Sequence, residues 1–378
     1  MIALKREPGI FFLLLLLLFY SLDVQSPIAF YGTQFIGLSA LVIYRFFVYP
    51  QLSPSCLRLL IFVVIFLEIL CLIQYTYINE SILVLVYQKV VFLLSVAILL
   101  YDYLAKVNTH TLKKAIALFI SALSLVVLLQ FVGFYFLNLD RSVLDFGILL
   151  GGEQSRTWYS GDWIYRPTGV TSEPAIFVGV QFGLLALQYV IDKEAVYSRA
   201  IGIISLCLSM SFLGLLLAVI FLMVVYSKNI KNYIFGAIAL CAFYFYSFDL
   251  INDRISRLNS GDDGSNNVKV EAFQFFTSSP EIILLGYGHL FPSENSPQFY
   301  DALGDLTFYI NMFTIYGLLL GGLILFVFFR YLIKSGTTIK EKVVILMALI
   351  KLSNPSVLFF SCFFLLLISF INMRKKLR

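Results

Sequence analysis

Arginine side chains in two polar segments are the residues of this sequence with the clearest chemical potential. Arg166 stands in YRPTGVTSEPAIF, residues 165–177, and Arg254 and Arg257 stand three residues apart in a later segment. A guanidinium presents a planar fork of donors that matches phosphate oxygens, and it stays charged at any working pH. On a helix, Arg254 and Arg257 would share one face. These residue types and spacings indicate a site for a phosphate or pyrophosphate group.

The residues that follow Arg166 predict how its side chain is positioned. Gly169 lets the chain turn tightly, and Ser172 can cap a helix that opens at Pro174, where proline is tolerated. Glu173 places a carboxylate at the helix start, where it also suits the helix dipole. The sequence therefore predicts a turn and a helix start beside Arg166. Glu173 keeps two interpretations, a helix-start residue and a functional carboxylate.

The composition indicates a membrane protein. Of 378 residues, 60% are hydrophobic and 13% are charged, and the mean hydropathy is +0.90. Soluble proteins carry about 25% charged residues, so we expect an all-α polytopic membrane protein. The first segment has a basic start and an apolar run but no small-residue cleavage site, which predicts an uncleaved first helix. No nucleic-acid partner is expected.

The cysteines and histidines disfavour metal chemistry. The five cysteines lie in or beside apolar runs without CxxC spacing, and the two histidines, His110 and His289, belong to no HExxH motif. The acidic pair Asp262 and Asp263 fits a flexible turn rich in Gly, Asn and Asp better than a cation site. We therefore expect neither a metal nor another cofactor.

The apolar runs predict the membrane-spanning helices, each of which needs about 20 residues. Clear spans are residues 9–24, 28–48, 57–75, 82–101, 115–137, 174–191, 231–250 and 306–332. Two further apolar stretches are broken at residues 209–211 and at Asn354-Pro355, and each is predicted to fold back as a short helical hairpin. The prediction is about twelve transmembrane helical segments, two pairs of them short.

The positive charges predict the orientation of the chain. With both hairpins in place, the positive-inside rule puts four basic segments and both termini in the cytoplasm. The segments are DKEAVYSR, SKNIKN, FRYLIKSGTTIKEK and RKKLR. Residues 138–173 and 251–305 then form two large outward-facing loops of one integral membrane domain, residues 1–378. Short paired helices are tolerated only where other helices bury their backbone ends.

Three stretches together resemble Wzy-type O-antigen polymerases. RPTGVTSEPAIFV, residues 166–178, is similar to the Arg-x-x-Gly-x-x-Ser-Glu-Pro stretch that follows the family's large middle periplasmic loop. DRISRLNSGDDGSNNVKVEAFQFFTSSPEIILLGYGHLF, residues 253–291, is similar to the second large loop of that family. GDLTFYINMFTIYGLLLGGLIL, residues 304–325, resembles the helix that re-enters the membrane. The N-terminal part of the chain matches only in hydropathy.

The resemblance implies a glycosyltransferase of the GT-C class in the bacterial inner membrane. It would join repeat units of a surface polysaccharide at the periplasmic face by inverting glycosyl transfer. The donor would be a glycan on undecaprenyl pyrophosphate, and the acceptor would be one lipid-linked repeat unit. Membrane lipids, a chain-length regulator and a flippase are the further partners that the resemblance implies.

The resemblance also gives roles to the basic residues. Arg166, with Arg254 or Arg257, would hold the donor pyrophosphate, whose charge grows as the glycosidic bond breaks. One preorganised donor at that place is typically worth about 3 to 4 kcal/mol. Lys269 stands where the family often has an arginine, so it offers a charge without the planar fork. Gly169 belongs to the same predicted substrate-binding set.

Several residues remain open in role. Glu173, Asp305 and His289 are candidate bases for the acceptor hydroxyl, although the first two also suit helix starts and the third suits a packed loop. Trp163 and Tyr287 are candidate sugar contacts, since aromatic rings stack on sugars and also anchor loops at membrane interfaces.

Two other classes of function remain as alternatives. O-antigen ligases are related, but they place a functional histidine near the end of the second loop, where FYDALGDLTF has none. A transporter or flippase of lipid-linked oligosaccharide would show repeated broken helices and ionisable residues near the bilayer midplane. Glu68 and Lys89 are the main ionisable residues deep in predicted spans, and we expect them to form one structural contact. These features favour the polymerase.

Overall fold

The chain folds into a bundle of helices. A computed structural model describes residues 8–157, 165–226, 264–291, 296–297, 299–303 and 306–376. This part of the chain contains no β-strand, and an isolated parallel bridge joins Asp23 to Thr171. The predicted all-α class is confirmed.

The helices follow one another through short connections. Those up to residue 226 are α1 Ile10–Ser21, α2 Ile28–Val48, α3 Pro54–Ile78, α4 Ser81–Leu104, α5 Thr109–Tyr135, α6 Arg141–Leu144, α7 Phe146–Leu149, α8 Pro174–Ile191, α9 Val196–Leu208 and α10 Phe212–Tyr226. Those after residue 263 are α11 Gly264–Phe276, α12 Pro280–Leu285, α13 Tyr300–Leu303, α14 Phe308–Lys334, α15 Ile339–Ala348 and α16 Leu358–Lys376. The first half of α2, Ile28–Gly37, has the wider winding of a π-helix.

Seven of the described helices are long and apolar enough to cross a membrane. They are α2, α3, α4, α5, α8, α14 and α16. The shorter apolar helices α1, α9 and α10 pack among them. These helices support a membrane-embedded protein, as the composition predicted. The predicted span 231–250 lies outside the described residues, so the total of about twelve segments stays a prediction.

Local signals fix where several helices begin. The Ser53 hydroxyl accepts a hydrogen bond from the backbone N–H of Cys56, and Pro54 occupies the first turn of α3. Thr338 and Glu341 form a capping box at the start of α15. Such caps satisfy backbone donors that the first helical turn leaves without partners.

Helix α8 lies at the centre of the bundle. Of its 18 residues, 16 are buried, as expected for a helix that is apolar on all sides. It packs against α5, α9, α10, α15 and α16. Gly183 permits close approach, because a Cβ there would lie 2.8 Å from Leu352 and 3.0 Å from Phe359. Because α8 is packed against these helices, it fixes the position of the segment 165–173 that leads into it.

Both predicted helical hairpins are present. Residues 209–211 separate α9 from α10, and Met210 between them has a positive φ of 49°. A Cβ on Gly214 would lie 3.1 Å from the carbonyl oxygen of Leu206. A continuous helix would place residues eight apart about 12 Å from each other, so the chain reverses here. The second reversal brings Glu341 of α15 within 3.1 Å of Arg374 in α16.

A further reversal contradicts the prediction of one span over residues 306–332. Within α14, the backbone of Gly317 is not helical (φ 74°, ψ 172°). The rings of Phe308 and Phe328 are 5.4 Å apart, whereas a straight helix would separate them by about 30 Å. Helix α14 is therefore two antiparallel arms. Hydropathy failed to predict the reversal because both arms are apolar and Gly317 alone carries the change of direction.

The basic segments meet at one end of the bundle. Glu341 has no exposed side-chain surface, forms an ion pair of 2.9 Å with Lys193 and accepts a hydrogen bond from Arg374 at 3.1 Å. Lys113 and Asp192 form a further ion pair of 3.2 Å. We call this the basic end, and the opposite end, with residues 138–157 and 165–173, the loop end. The predicted grouping of three basic segments is confirmed, and SKNIKN lies outside the described residues.

Replacing Glu341 is expected to loosen the basic end. Glu341→Ala removes the shared partner of Lys193 and Arg374 and breaks the capping box of α15. Those cations are 50% and 28% exposed and can turn to water, so we expect a loss of about 2 kcal/mol, less than for a fully buried triad. Thermal unfolding in detergent measures it, with exposed Glu194→Ala as the control. Equal unfolding temperatures for both variants would contradict the structural role of the cluster.

Candidate functional site

The segment 165–173 forms the predicted turn, and a buried glutamine fixes it. The side chain of Gln130 on α5 accepts from the N–H of Gly169 at 2.8 Å and donates to its carbonyl at 3.0 Å. The same amide donates to the carbonyl of Leu144 at 2.8 Å. Gly169 has a φ of 62°, and a Cβ there would lie 2.9 Å from the ring of Phe177. Gly169 is buried, so its role is to shape the turn and not to contact a substrate as predicted.

The segment that connects α1 to α2 contacts both the beginning and the end of the first outward-facing loop, in residues 138–157 and 165–173. The N–H of Ser172 donates to the Asp23 carbonyl at 2.6 Å, next to the bridge between Asp23 and Thr171. In the earlier part of the loop, the N–H of Glu153 donates to the Gln25 carbonyl at 3.0 Å. The connection therefore ties together the beginning and the end of the loop. Asp23 contacts the later part of the loop, residues 165–173, which contains Arg166.

Charged side chains gather at this turn. Arg156 and Glu173 form an ion pair of 3.0 Å, and the N–H of Arg156 donates to the Ser172 carbonyl at 2.8 Å. Arg166 is partly buried, and its N–H donates to the Thr157 carbonyl at 2.8 Å. The ion pair therefore puts one guanidinium group and one carboxylate at the start of α8, and Arg166 lies in the segment that leads into that helix.

The start of α8 differs from the predicted cap. The helix begins at Pro174, and Glu173, in an extended conformation, precedes it without a side-chain cap hydrogen bond. Ser172 was expected to cap the helix, and this prediction is wrong because the residue lies one position too early. Its N–H instead serves the link to Asp23. Glu173 therefore contributes its side chain to the ion pair with Arg156 and not to a cap.

Lys89 belongs to this site and not to the predicted contact with Glu68. Glu68 accepts from Gln88 at 2.9 Å. Burial raises the pKa of Asp23, which lies between helices, and the nearby ammonium of Lys89 acts in the opposite direction. Lys89 is eight residues into α4, about 12 Å below its loop end. We name Asp23, Lys89, Arg156, Arg166 and Glu173 the loop-end cluster.

His289 and Tyr287 lie in the protein interior. Each is 1% exposed. The Nε2 atom of His289 lies 3.0 Å from the hydroxyl oxygen of Tyr316, and the N–H of Tyr287 donates to Thr314 at 2.9 Å. Burial lowers the pKa of His289 to about 3, although a hydrogen bond with Asn354 raises it, so the ring is a weak base. Their placement contradicts the predicted roles of base and sugar contact, because a base must reach the acceptor hydroxyl.

The depressed pKa of His289 predicts how stability changes with pH. The unfolded chain binds a proton near the ordinary value of 6.5, and the folded chain binds it only near 3. Stability is therefore full above about 6.5 and falls by about 1 kcal/mol per pH unit between these values. Unfolding in detergent across this range should show a flatter curve for His289→Gln. The control His110→Gln removes an exposed histidine, and an equally flattened curve there would contradict the assignment.

The other predicted site residues fall outside this cluster or outside the described chain. Lys269 lies partly buried on α11, and within the described residues no hydrogen bond or ion pair joins it to the cluster. Trp163, Arg254, Arg257 and Asp305 lie outside the described residues. Among the described residues, no group of three or more His, Cys, Asp or Glu side chains is placed to hold a metal ion.

An apolar groove of about 570 Å³ runs between α3, α4, α14 and α16. Ser53 and Tyr101 lie at its basic end, and Phe328 and Phe364 line its wall. Tyr316, the partner of His289, also lines it. The groove can hold a hydrocarbon chain, since its lining is almost wholly apolar.

Sequence reasoning missed two residues that shape the site and one deep in the bundle. Asp23 directly follows an apolar run and Gln130 lies inside one, so both read as parts of a span. Lys351 lies in the turn between α15 and α16. The aliphatic part of its side chain lies against Gly179, five residues into α8. A polar residue inside an apolar run is the available signal, because burying it requires partners.

Comparison of the chain with protein-family models, with curated proteins and with solved structures found no match.

Proposed function

We propose that this protein is an O-antigen polymerase, which joins undecaprenyl-pyrophosphate-linked repeat units at the outer face of a bacterial inner membrane. The observation that carries the proposal is the loop-end cluster. It includes an Arg156–Glu173 ion pair at the start of a buried helix, with Arg166 and Asp23 on the segments that meet there, and guanidinium groups suit phosphate oxygens. A glycosyl transfer from a pyrophosphate needs both kinds of group.

The charge distribution supports the orientation that this function requires. Lys113, Lys193 and Arg374 lie at the basic end, and the positive-inside rule puts such residues in the cytoplasm. The loop-end cluster then faces the periplasm. Its guanidinium groups there meet lipid-linked substrates that have already crossed the membrane, and a chain-length regulator would act on the same side.

The proposed chemistry assigns separate tasks to the parts of the site. Arg166 holds the oxygens of the donor pyrophosphate, and its fixed charge stabilises the leaving group as the glycosidic bond breaks. The acceptor hydroxyl attacks the anomeric carbon from the opposite face, which inverts the configuration. The apolar groove supports binding of a polyprenyl tail, because hydrocarbon gains from leaving polar surroundings.

Surface polysaccharide from a strain that lacks the gene tests the proposed function. We expect the ladder on a gel to collapse to the core with one repeat, and the wild-type gene to restore it. A mutant that keeps a full ladder would overturn the proposal. Loss of the single repeat as well would favour ligation or transport.

Transport of lipid-linked oligosaccharide is a second candidate, favoured by the reversal of α14. Gln74 donates to the carbonyls of Leu285 at 2.6 Å and Ile315 at 2.8 Å beside that reversal. Its side-chain oxygen accepts from the hydroxyl of Tyr87. Broken helices supported by buried polar groups occur at transporter substrate sites. A transporter mutant would keep its lipid-linked repeats on the cytoplasmic face, where an impermeant label for outer-face glycans cannot reach them.

A further inference from the structure

We propose that the carboxylate of Asp23 accepts the proton of the acceptor sugar hydroxyl, an inference that rests on the proposed polymerase function. Asp23 is partly buried, in the connection between α1 and α2. Its backbone is fixed by the hydrogen bond from Ser172 at 2.6 Å and by the bridge to Thr171. These contacts hold the backbone of Asp23 beside Thr171 and Ser172, in the segment that also contains Arg166.

Three other candidate bases are less suited to this task. Glu173 is 3.0 Å from a guanidinium nitrogen of Arg156, and protonating it would weaken that ion pair. His289 is buried and bonded to Tyr316, away from the loop surface. Asp145 is 1% exposed, and its two oxygens accept from Ser155 and Gly147. Asp23 combines partial exposure with a fixed backbone.

Burial raises the pKa of the Asp23 carboxylate, and one nearby cation acts in the opposite direction. Lys89 on α4 favours the ionised carboxylate, while burial opposes it. On the loop that the Asp23 backbone contacts, Arg156 and Glu173 are paired with each other. A carboxylate whose proton affinity is raised by burial accepts a proton more readily than an exposed one.

The proposed step balances without a further reactant. As the acceptor oxygen bonds to the anomeric carbon of the donor, its proton passes to an oxygen of Asp23. The bond between that carbon and the pyrophosphate oxygen breaks, and its electron pair leaves with the pyrophosphate held by Arg166. The proton on Asp23 then passes to water before the next cycle.

Three variants of the purified full-length protein test the proposal. The assay follows chain extension of undecaprenyl-pyrophosphate-linked repeat units extracted from the deletion strain. Asp23→Asn should lower the rate by about 100-fold or more, in the range that general bases contribute. Asp23→Glu keeps a carboxylate one methylene away and should recover part of the rate. Asp140→Asn, a change at an exposed carboxylate before α6, should keep the wild-type rate.

The pH profile separates a base from a structural residue. The wild-type rate should fall on the acid side as Asp23 is protonated, and the residual rate of Asp23→Asn should lack that fall. If Asp23→Asn extends chains within about threefold of wild type while Arg166→Ala does not, Asp23 is not the base and the polymerase function stands. If wild type extends no chain, the function itself is overturned. If Asp23→Asn does not fold in detergent, the pH profile of Asp23→Glu tests the proposal instead. A base displaced by one methylene must shift the acid side of the pH–rate profile.

Discussion

Arg166→Ala is expected to lower chain extension at least about 100-fold, with an unchanged amount of protein in the membrane. The loss follows from the proposed function, because Arg156 is already paired with Glu173 and would not take the place of Arg166 on the donor pyrophosphate. The folded state should tolerate the change, since the turn is held by the contacts of Gly169 with Gln130 and of Ser172 with Asp23. The polysaccharide ladder and an immunoblot of the same membranes measure both quantities.

Two further variants make this result specific. Arg166→Lys should recover little, because an ammonium is a point charge and lacks the planar fork that matches phosphate oxygens. Arg141→Ala removes an arginine from α6 in the same loop, outside the loop-end cluster, and should leave the ladder intact. A full ladder from Arg166→Ala, or an equal loss from Arg141→Ala, would show that positive charge at this turn does not act on the donor.

Gly317→Ala is expected to remove most of the folded protein from the membrane. The φ of 74° with a ψ of 172° belongs to a region that only glycine adopts readily, and a Cβ would lie 2.1 Å from the carbonyl oxygen of Leu284. Backbone atoms cannot move aside as a flexible side chain can, so we expect a loss above about 3 kcal/mol. Membrane abundance and thermal unfolding in detergent report this loss.

A neighbouring glycine provides the matched control for Gly317. Gly322 lies in the second arm of α14, where an added Cβ would meet only a ring atom of Phe313 at 3.7 Å. Gly322→Ala should therefore unfold at the wild-type temperature. If Gly317→Ala also behaved like wild type, α14 would have to run as one continuous span, and the contact between Phe308 and Phe328 could not exist.

The sequence predicted the parts of the fold that local chemistry controls. Long apolar runs fixed the helices because a backbone in a membrane must satisfy its own hydrogen bonds. The breaks at residues 209–211 and Asn354-Pro355 were visible because charge balance at the helix ends required them, and both are confirmed. Gly317 gave no such signal, since no charged segment near it changes sides.

The sequence indicated some residues of the candidate site and missed others. The turn at Gly169 follows from residue types within a few positions, so Arg166 and Glu173 were found where a single segment carries the signal. Asp23 and Lys89 lie far from it in sequence, and only packing brings them together. The same packing buries His289 in the interior of the bundle.

What the sequence by itself determined is the all-α membrane class of the protein, most of its helices and the turn after Arg166, because each depends on residues close together in the chain. What only the tertiary structure decided is which residues of other helices meet the turn that follows Arg166. Asp23 meets the turn through the link to Ser172 across the bundle. Such a contact depends on how α1, α4 and α8 pack, and hydropathy carries no information about which of several apolar helices become neighbours.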